Sequence, residues 1–93
     1  MIGRVTATIT AEDTFSDAIA MQKGGFSLSL SGISGDTVYL QRSVDGGTTW
    51  FDVAYYTEDG WYAGNEVESG TVWRFGVKTG GYSAGTIIGV LSY

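Results

Sequence analysis

The side chains here that could act as acid or base near neutrality are the ten carboxylates, because the chain has no histidine and no cysteine. Those absences remove the commonest general base, the commonest transition-metal ligand and every thiolate nucleophile. Ser-His-Asp and Cys-His catalysis, zinc–thiolate sites and disulfides are therefore excluded. What remains is carboxylate chemistry. A pair such as Asp45 and Asp52, or Glu66 and Glu68, could protonate a glycosidic oxygen and attack or activate water. Nothing nearby in sequence isolates either pair from water, and a short chain leaves little room for a deep cleft. The expectation is that these are solvated charges at strand ends and loops. No D-x-[DN]-x-[DN]-G run with its distant glutamate is present, so neither metal nor other cofactor is implied and no enzyme is expected.

Aromatic side chains offer a second kind of chemistry, recognition by stacking. Trp50, Phe51, Tyr55, Tyr56, Trp61, Tyr62, Trp73 and Tyr82 could form a platform for sugar rings or anchor a protein interface. On a strand Trp50 and Phe51 point to opposite faces, as do Tyr55 and Tyr56, so one core cannot take them all. Trp61 and Tyr62 follow Glu58-Asp59-Gly60, which places them at a loop. Tyr55, Trp61, Tyr62 and Tyr82 are the candidate interaction surface, with a protein partner favoured over a glycan.

Ser43-Val44-Asp45-Gly46-Gly47-Thr48-Thr49-Trp50 carries the strongest local signal. Asp45 is placed to accept hydrogen bonds from turn N–H groups, and Gly46 and Gly47 can supply the positive φ of a tight hairpin. Thr48 and Thr49 then restart the strand, and Trp50 folds onto the domain and pins the turn to the core. The pattern Ser43, Asp45, Gly47, Thr49, Trp50 resembles the Asp-box of sialidase-like propellers, where it is a structural hairpin remote from the active site. It occurs once here, in a chain too short for three blades, so the resemblance implies a hairpin and not a sialidase.

The elements that must position these residues are strands. Val5, Ala7 and Ile9 alternate with Arg4, Thr6 and Thr8; Phe26, Leu28 and Leu30 alternate with serines; Val38 and Leu40 alternate with Tyr39 and Gln41. Trp73, Phe75 and Val77 alternate with Arg74 and Gly76, and the last strand, 86–92, is apolar enough to be buried on both faces. Residues 11–22 carry the weakest pattern and are read as extended chain. Gly-rich turn signals separate the runs, among them Lys23-Gly24-Gly25, Ser34-Gly35-Asp36, Asp45-Gly46-Gly47 and Thr79-Gly80-Gly81. The reading is all-β: one domain over 1–93, a small antiparallel sandwich or jelly-roll-like barrel of about seven to eight short strands.

Ten acidic residues against five scattered basic ones give a net charge of −5, a balance that repels a phosphate backbone. No apolar run is long enough to span a bilayer, and MIGRVTATIT lacks the apolar stretch of a secretory signal. The expected partners are neither nucleic acid nor membrane, and synthesis is expected in the cytosol.

FSLSLSGISGDTVYLQRSVDGGTTWFDVAYYT followed by VWRFGVKTGGYSAGTIIGVLS resembles the small β-sandwich virion proteins of tailed bacteriophages. Their outline is an apolar strand ending in Ser-Gly, then T-V-x-L-Q-R-S-x-D-G-G-x-T-W, an R-F-x-V strand, a Gly-rich turn and a short last strand. It covers about residues 26–92 and consists of turns and core positions, not catalytic residues. The resemblance implies a head or tail structural protein made in the host cytoplasm. It points above all to a capsid decoration protein on the virion surface, bound to the major capsid protein or other virion proteins as homotrimers or single copies. A carbohydrate- or receptor-binding module of a tail or fibre is the alternative, and a glycosidase-like enzyme a distant third.

Overall fold

The computed structural model describes residues 3–93, so Met1 and Ile2 of the N-terminal segment lie outside the described residues. Nine strands follow one another: β1 Arg4–Ile9, β2 Thr14–Phe15, β3 Ile19–Met21, β4 Gly24–Ser31, β5 Val38–Ser43, β6 Phe51–Tyr56, β7 Gly60–Glu66, β8 Thr71–Val77 and β9 Ile87–Ser92. All pairings are antiparallel. One sheet has the order β1-β9-β4-β7; the other has β2-β8-β5-β6, with β3 also on β8.

The pairings nest. β5 pairs β6, β4 pairs β7, β2 and β3 together pair β8, and β1 pairs β9. The chain is thus one long double ribbon turned back at residues 44–50 and rolled up, the roll being closed by β4 on β9 and β5 on β8. This is a jelly roll. Because β2 and β3 occupy one strand position in two pieces, nine strands fill the eight positions of that fold. The join is held where Ser16 N donates to the Phe75 carbonyl (2.7 Å) and the Ser16 hydroxyl accepts from Phe75 N (3.1 Å). Of residues 11–22, read as extended chain, only β2 and β3 are strands; 11–13 bend, with Asp13 at a φ of 55°.

Alternation explains the core. Phe26, Leu28 and Leu30 from β4 face Leu40, Trp73, Phe75 and Val77 of the other sheet, with Ile9, Ile87 and Leu91 completing the layer. Each fully buried aliphatic such as Leu28 contributes about 2 kcal/mol relative to exposure. Phe26 and Trp73 meet across the layer at 4.7 Å between ring centroids. Gly89 sits in the middle of β9 because the Phe75 ring occupies the space a Cβ would need.

Two readings need correction. The last strand is not buried on both faces: Ile88 is exposed, since the sheet carrying β9 has solvent on its outer side. Trp61 and Tyr62 lie within β7, not at a loop, because Gly60 to Glu66 continue the ladder with β4.

Candidate functional site

The turn at 44–50 is held by its own polar groups. Asp45 Oδ1 accepts from Thr48 N (3.1 Å), Thr49 N (2.9 Å) and the Ser43 hydroxyl (2.7 Å), while Ser43 Oγ accepts from Gly47 N (2.9 Å). The Thr49 amide foremost, with Ser43, lowers the Asp45 carboxyl to about 2. Gly46 and Gly47 have φ of 78° and 101°, the left-handed region that other residues avoid. Thr48 and Thr49 belong to the turn and not to a restarted strand, which begins at Phe51. Trp50 does not enter the core: it is half-buried on the outer face of the second sheet, its ring 4.3 Å from Cζ of Arg74.

The paired carboxylates are not free to do acid–base work. Glu66, far from being solvated, is buried; it takes two hydrogen bonds from Arg42 (2.9 Å each) and one each from Thr71 Oγ1 (2.7 Å) and Trp73 Nε1 (2.8 Å). The Arg42 guanidinium holds its carboxyl far below the usual range despite burial, and Glu68 adds an exposed second carboxylate to the same arginine. Asp52 is engaged by Lys78 and by Gln41 Nε2 (3.0 Å), and those donors, Lys78 first, lower its pKa. Asp36, also buried, shows the same logic. Burial pushes its carboxyl up, but N–H groups of Ser34, Ser83, Ala84 and Gly85 outweigh it and leave the pKa lowered, tying two loops together. Among the described residues no three carboxylates gather into a set that could hold a metal ion.

The four aromatic candidates divide. Tyr62 stacks on Tyr56 (3.9 Å between centroids, 27° between planes) and donates to the Glu58 carbonyl, while Tyr82 packs against the core and donates to the Gly85 carbonyl (2.8 Å). Both serve the fold. Tyr55 and Trp61 are each 67% exposed. They are joined on β6 by Phe51, 60% exposed, named in the wider aromatic group but not in the candidate surface, and by Val53, 49% exposed, which the sequence did not single out. The i, i+2, i+4 spacing of Phe51, Val53 and Tyr55 is the signal, but it reads equally well as a buried face until the sheet order is known.

That order puts β6 and β7 at the ends of their sheets on one flank, bridged by the Tyr56–Tyr62 stack. The four sheet edges differ sharply. β2 and β3 are two- and three-residue pieces, β1 shows Arg4, Thr6 and Thr8 outward, and β7 carries Gly60 and Gly64. β6 is six residues long and, apart from Asp52, apolar, with a bulge at Val53 opposite Leu40/Gln41. Proteins usually blunt such an edge with charge, proline or short length. Trp61 looks onto the outer face of the first sheet, beside Ser29 in register. A shallow hollow of about 490 Å³ lies further along that face between Arg4, Ser27, Ala63, Ser92 and Tyr93.

The fold has a solved counterpart. The Yersinia pseudotuberculosis-derived mitogen superposes on 99% of this chain and 84% of its own at a TM-score of 0.56, with 19% identity. At that identity the likeness shows the fold alone. No protein-family model and no curated protein sequence matches the chain.

Proposed function

We propose that this chain is a non-enzymatic virion structural protein of a tailed bacteriophage, a decoration protein that docks on the major capsid protein through the β6 flank. The observation that carries the reading is the exposed apolar edge, only partly blunted by Asp52 and the bulge at Val53: Phe51, Val53 and Tyr55 stand in water on a strand that has no partner beyond it among the described residues. Burying a large apolar side chain at an interface is worth about 1.5–3 kcal/mol, so this strand alone can anchor attachment. Strand addition to a partner sheet would use the same edge. The sequence outline over residues 26–92 supports the phage assignment, and the jelly roll, a fold frequent in capsids, is compatible with it. The lattice would stabilise the small domain by mass action, whether copies sit singly or as homotrimers. On this reading the protein is made in the host cytoplasm and resides on the capsid surface, with neither nucleic acid nor membrane as partner. Mixing the purified chain with undecorated heads and sedimenting them tests it; protein left in the supernatant at every salt concentration refutes it.

One observation favours a second reading, a glycan- or receptor-binding module of a tail or fibre. Trp61 projects beside Ser29 from an outer face whose neighbouring positions are Thr6, Ser27, Ser92 and Val90, a nearly uncharged, hydroxyl-rich surface suited to sugars. Tryptophan quenching by glycans, abolished in Trp61→Ala, would support it; a silent glycan screen would remove it.

A further inference from the structure

The outer face of the second sheet holds a group that the attachment reading does not use. Arg74 on β8 has its guanidinium carbon 4.1 Å from the Phe15 ring centroid and 4.3 Å from that of Trp50. Its Nε donates to Gln41 Oε1 at 2.7 Å. Gln41 is held in turn by Asp52, and Asp52 by Lys78, whose ammonium lies 4.3 Å over the Tyr39 ring. Both aromatic neighbours and the Nε–H are therefore fixed by the protein. The Nη groups make no hydrogen bond among the described residues, and no buried side-chain nitrogen there lacks a partner, so they reach solvent. No carboxylate lies within ion-pair distance of Arg74 among the described residues, although burial pushes its pKa down.

A guanidinium that is oriented, half-desolvated and unmatched by an anion is a preformed two-donor fork. We propose that Arg74 is the receptor for the carboxylate of a sugar acid bound on this face, with the ring and hydroxyls of the sugar resting against the Tyr39–Tyr55 pair, Asp52 and Lys78. The surroundings select the class. With a net charge of −5 the protein repels a polyanion, so the ligand presents an isolated carboxylate. An acidic peptide would seek backbone partners, but β5 and β8 are paired on both sides and offer only side chains on this face. A pyranose needs an apolar face and a rim of donors and acceptors. The Tyr39–Tyr55 pair (6.1 Å between centroids) supplies the first and the exposed Lys78–Asp52 pair the second, while Gln41, buried and bonded at both ends of its amide, only orients the fork.

The site shares Tyr55 with the attachment flank but rests on Arg74, which attachment does not use, and its test uses the intact free chain. Glucuronic acid and N-acetylneuraminic acid are titrated against their methyl esters, following tryptophan fluorescence and the arginine Nε–H resonances. Saturable binding of a free acid, at least roughly tenfold weaker for its ester, is the expected result for a charge-assisted fork. Arg74→Lys, which keeps the charge and loses the fork, should abolish it while Trp61→Ala leaves it intact. The wild-type acid-against-ester comparison holds even if the lysine variant folds poorly. Equal binding of acid and ester, no response to either acid, or an equal response to acetate or to the tripeptide Gly-Glu-Gly would each overturn the proposal.

Discussion

Replacing Glu66 by glutamine should destabilise the protein strongly, and the structure sets the size of the effect. Oε2 accepts from Arg42 Nε, Thr71 Oγ1 and Trp73 Nε1; Oε1 accepts from Arg42 Nη2 and Glu68 N. A glutamine amide nitrogen must replace one oxygen or the other. In the better orientation it still confronts the Arg42 Nη2 and Glu68 N donors, so two bonds are lost and Arg42 loses its buried counter-charge, keeping only the exposed Glu68. At about 1 kcal/mol for the neutral bond and about 1.5–3 for the charged one, the cost is roughly 2.5–4 kcal/mol. For a domain of this size that lowers the melting temperature by about 10–30 °C. Glu68→Gln, at an exposed pair with the same arginine, should cost less than about 1 kcal/mol. Urea unfolding followed by tryptophan fluorescence measures both. The pH dependence supplies an internal check. Because the folded Glu66 carboxyl is depressed, its stabilisation is complete above the ordinary glutamate value of about 4.3 and is lost as pH falls below it. The gap between wild type and Glu66→Gln should therefore shrink from pH 6 towards pH 2. A loss within about 1 kcal/mol, or a gap that does not change with pH, would falsify the account of this network.

Other outcomes follow from the same geometry. Asp45→Asn should leave the fold intact but speed hydrogen exchange at the Thr48 and Thr49 amides, and wild-type protection there should persist down to about pH 2, where Asp45 titrates. Gly47→Val places a branched side chain at φ 101° beside the Trp50 ring and should cost about 1–3 kcal/mol in urea denaturation; an unchanged midpoint would contradict the turn's role. Gly89→Ala should lower the melting temperature by crowding Phe75, whereas Gly70→Ala, with open space around it, should show only the cost of its positive φ.

Strand existence is legible in this chain because one face of each sheet is wet: Phe26, Leu28 and Leu30 alternate with serines that point to solvent. The jelly-roll order is less so, since it depends on which ribbon pairs form as the chain rolls, a matter of long-range packing. The turn residues Ser43 to Gly47 announce their own conformation, because Asp45 and the two glycines act locally. Trp50 does not: whether it falls inward or across Gln41 to Arg74 depends on β8, more than twenty residues away. Glu66 looked solvated because nothing near it in sequence reveals that Arg42, on another strand, reaches it. Val53 escaped, and Phe51 was left out of the candidate surface, for the converse reason, since alternation reads as burial unless the strand is known to be an edge. The candidate surface thus lies where local pattern and global placement disagree.

The most direct test of the attachment reading is sedimentation of undecorated heads with wild-type protein and with Val53→Asp. The substitution sets a charge in the middle of the β6 edge without touching the core, so the free variant should melt like wild type. Wild type should co-sediment to a saturating ratio of copies per capsid subunit, and the variant should bind about 30-fold more weakly, the equivalent of a 2 kcal/mol anchor. Equal binding by both proteins would move the contact away from β6, and no binding by the wild type would remove the capsid as partner.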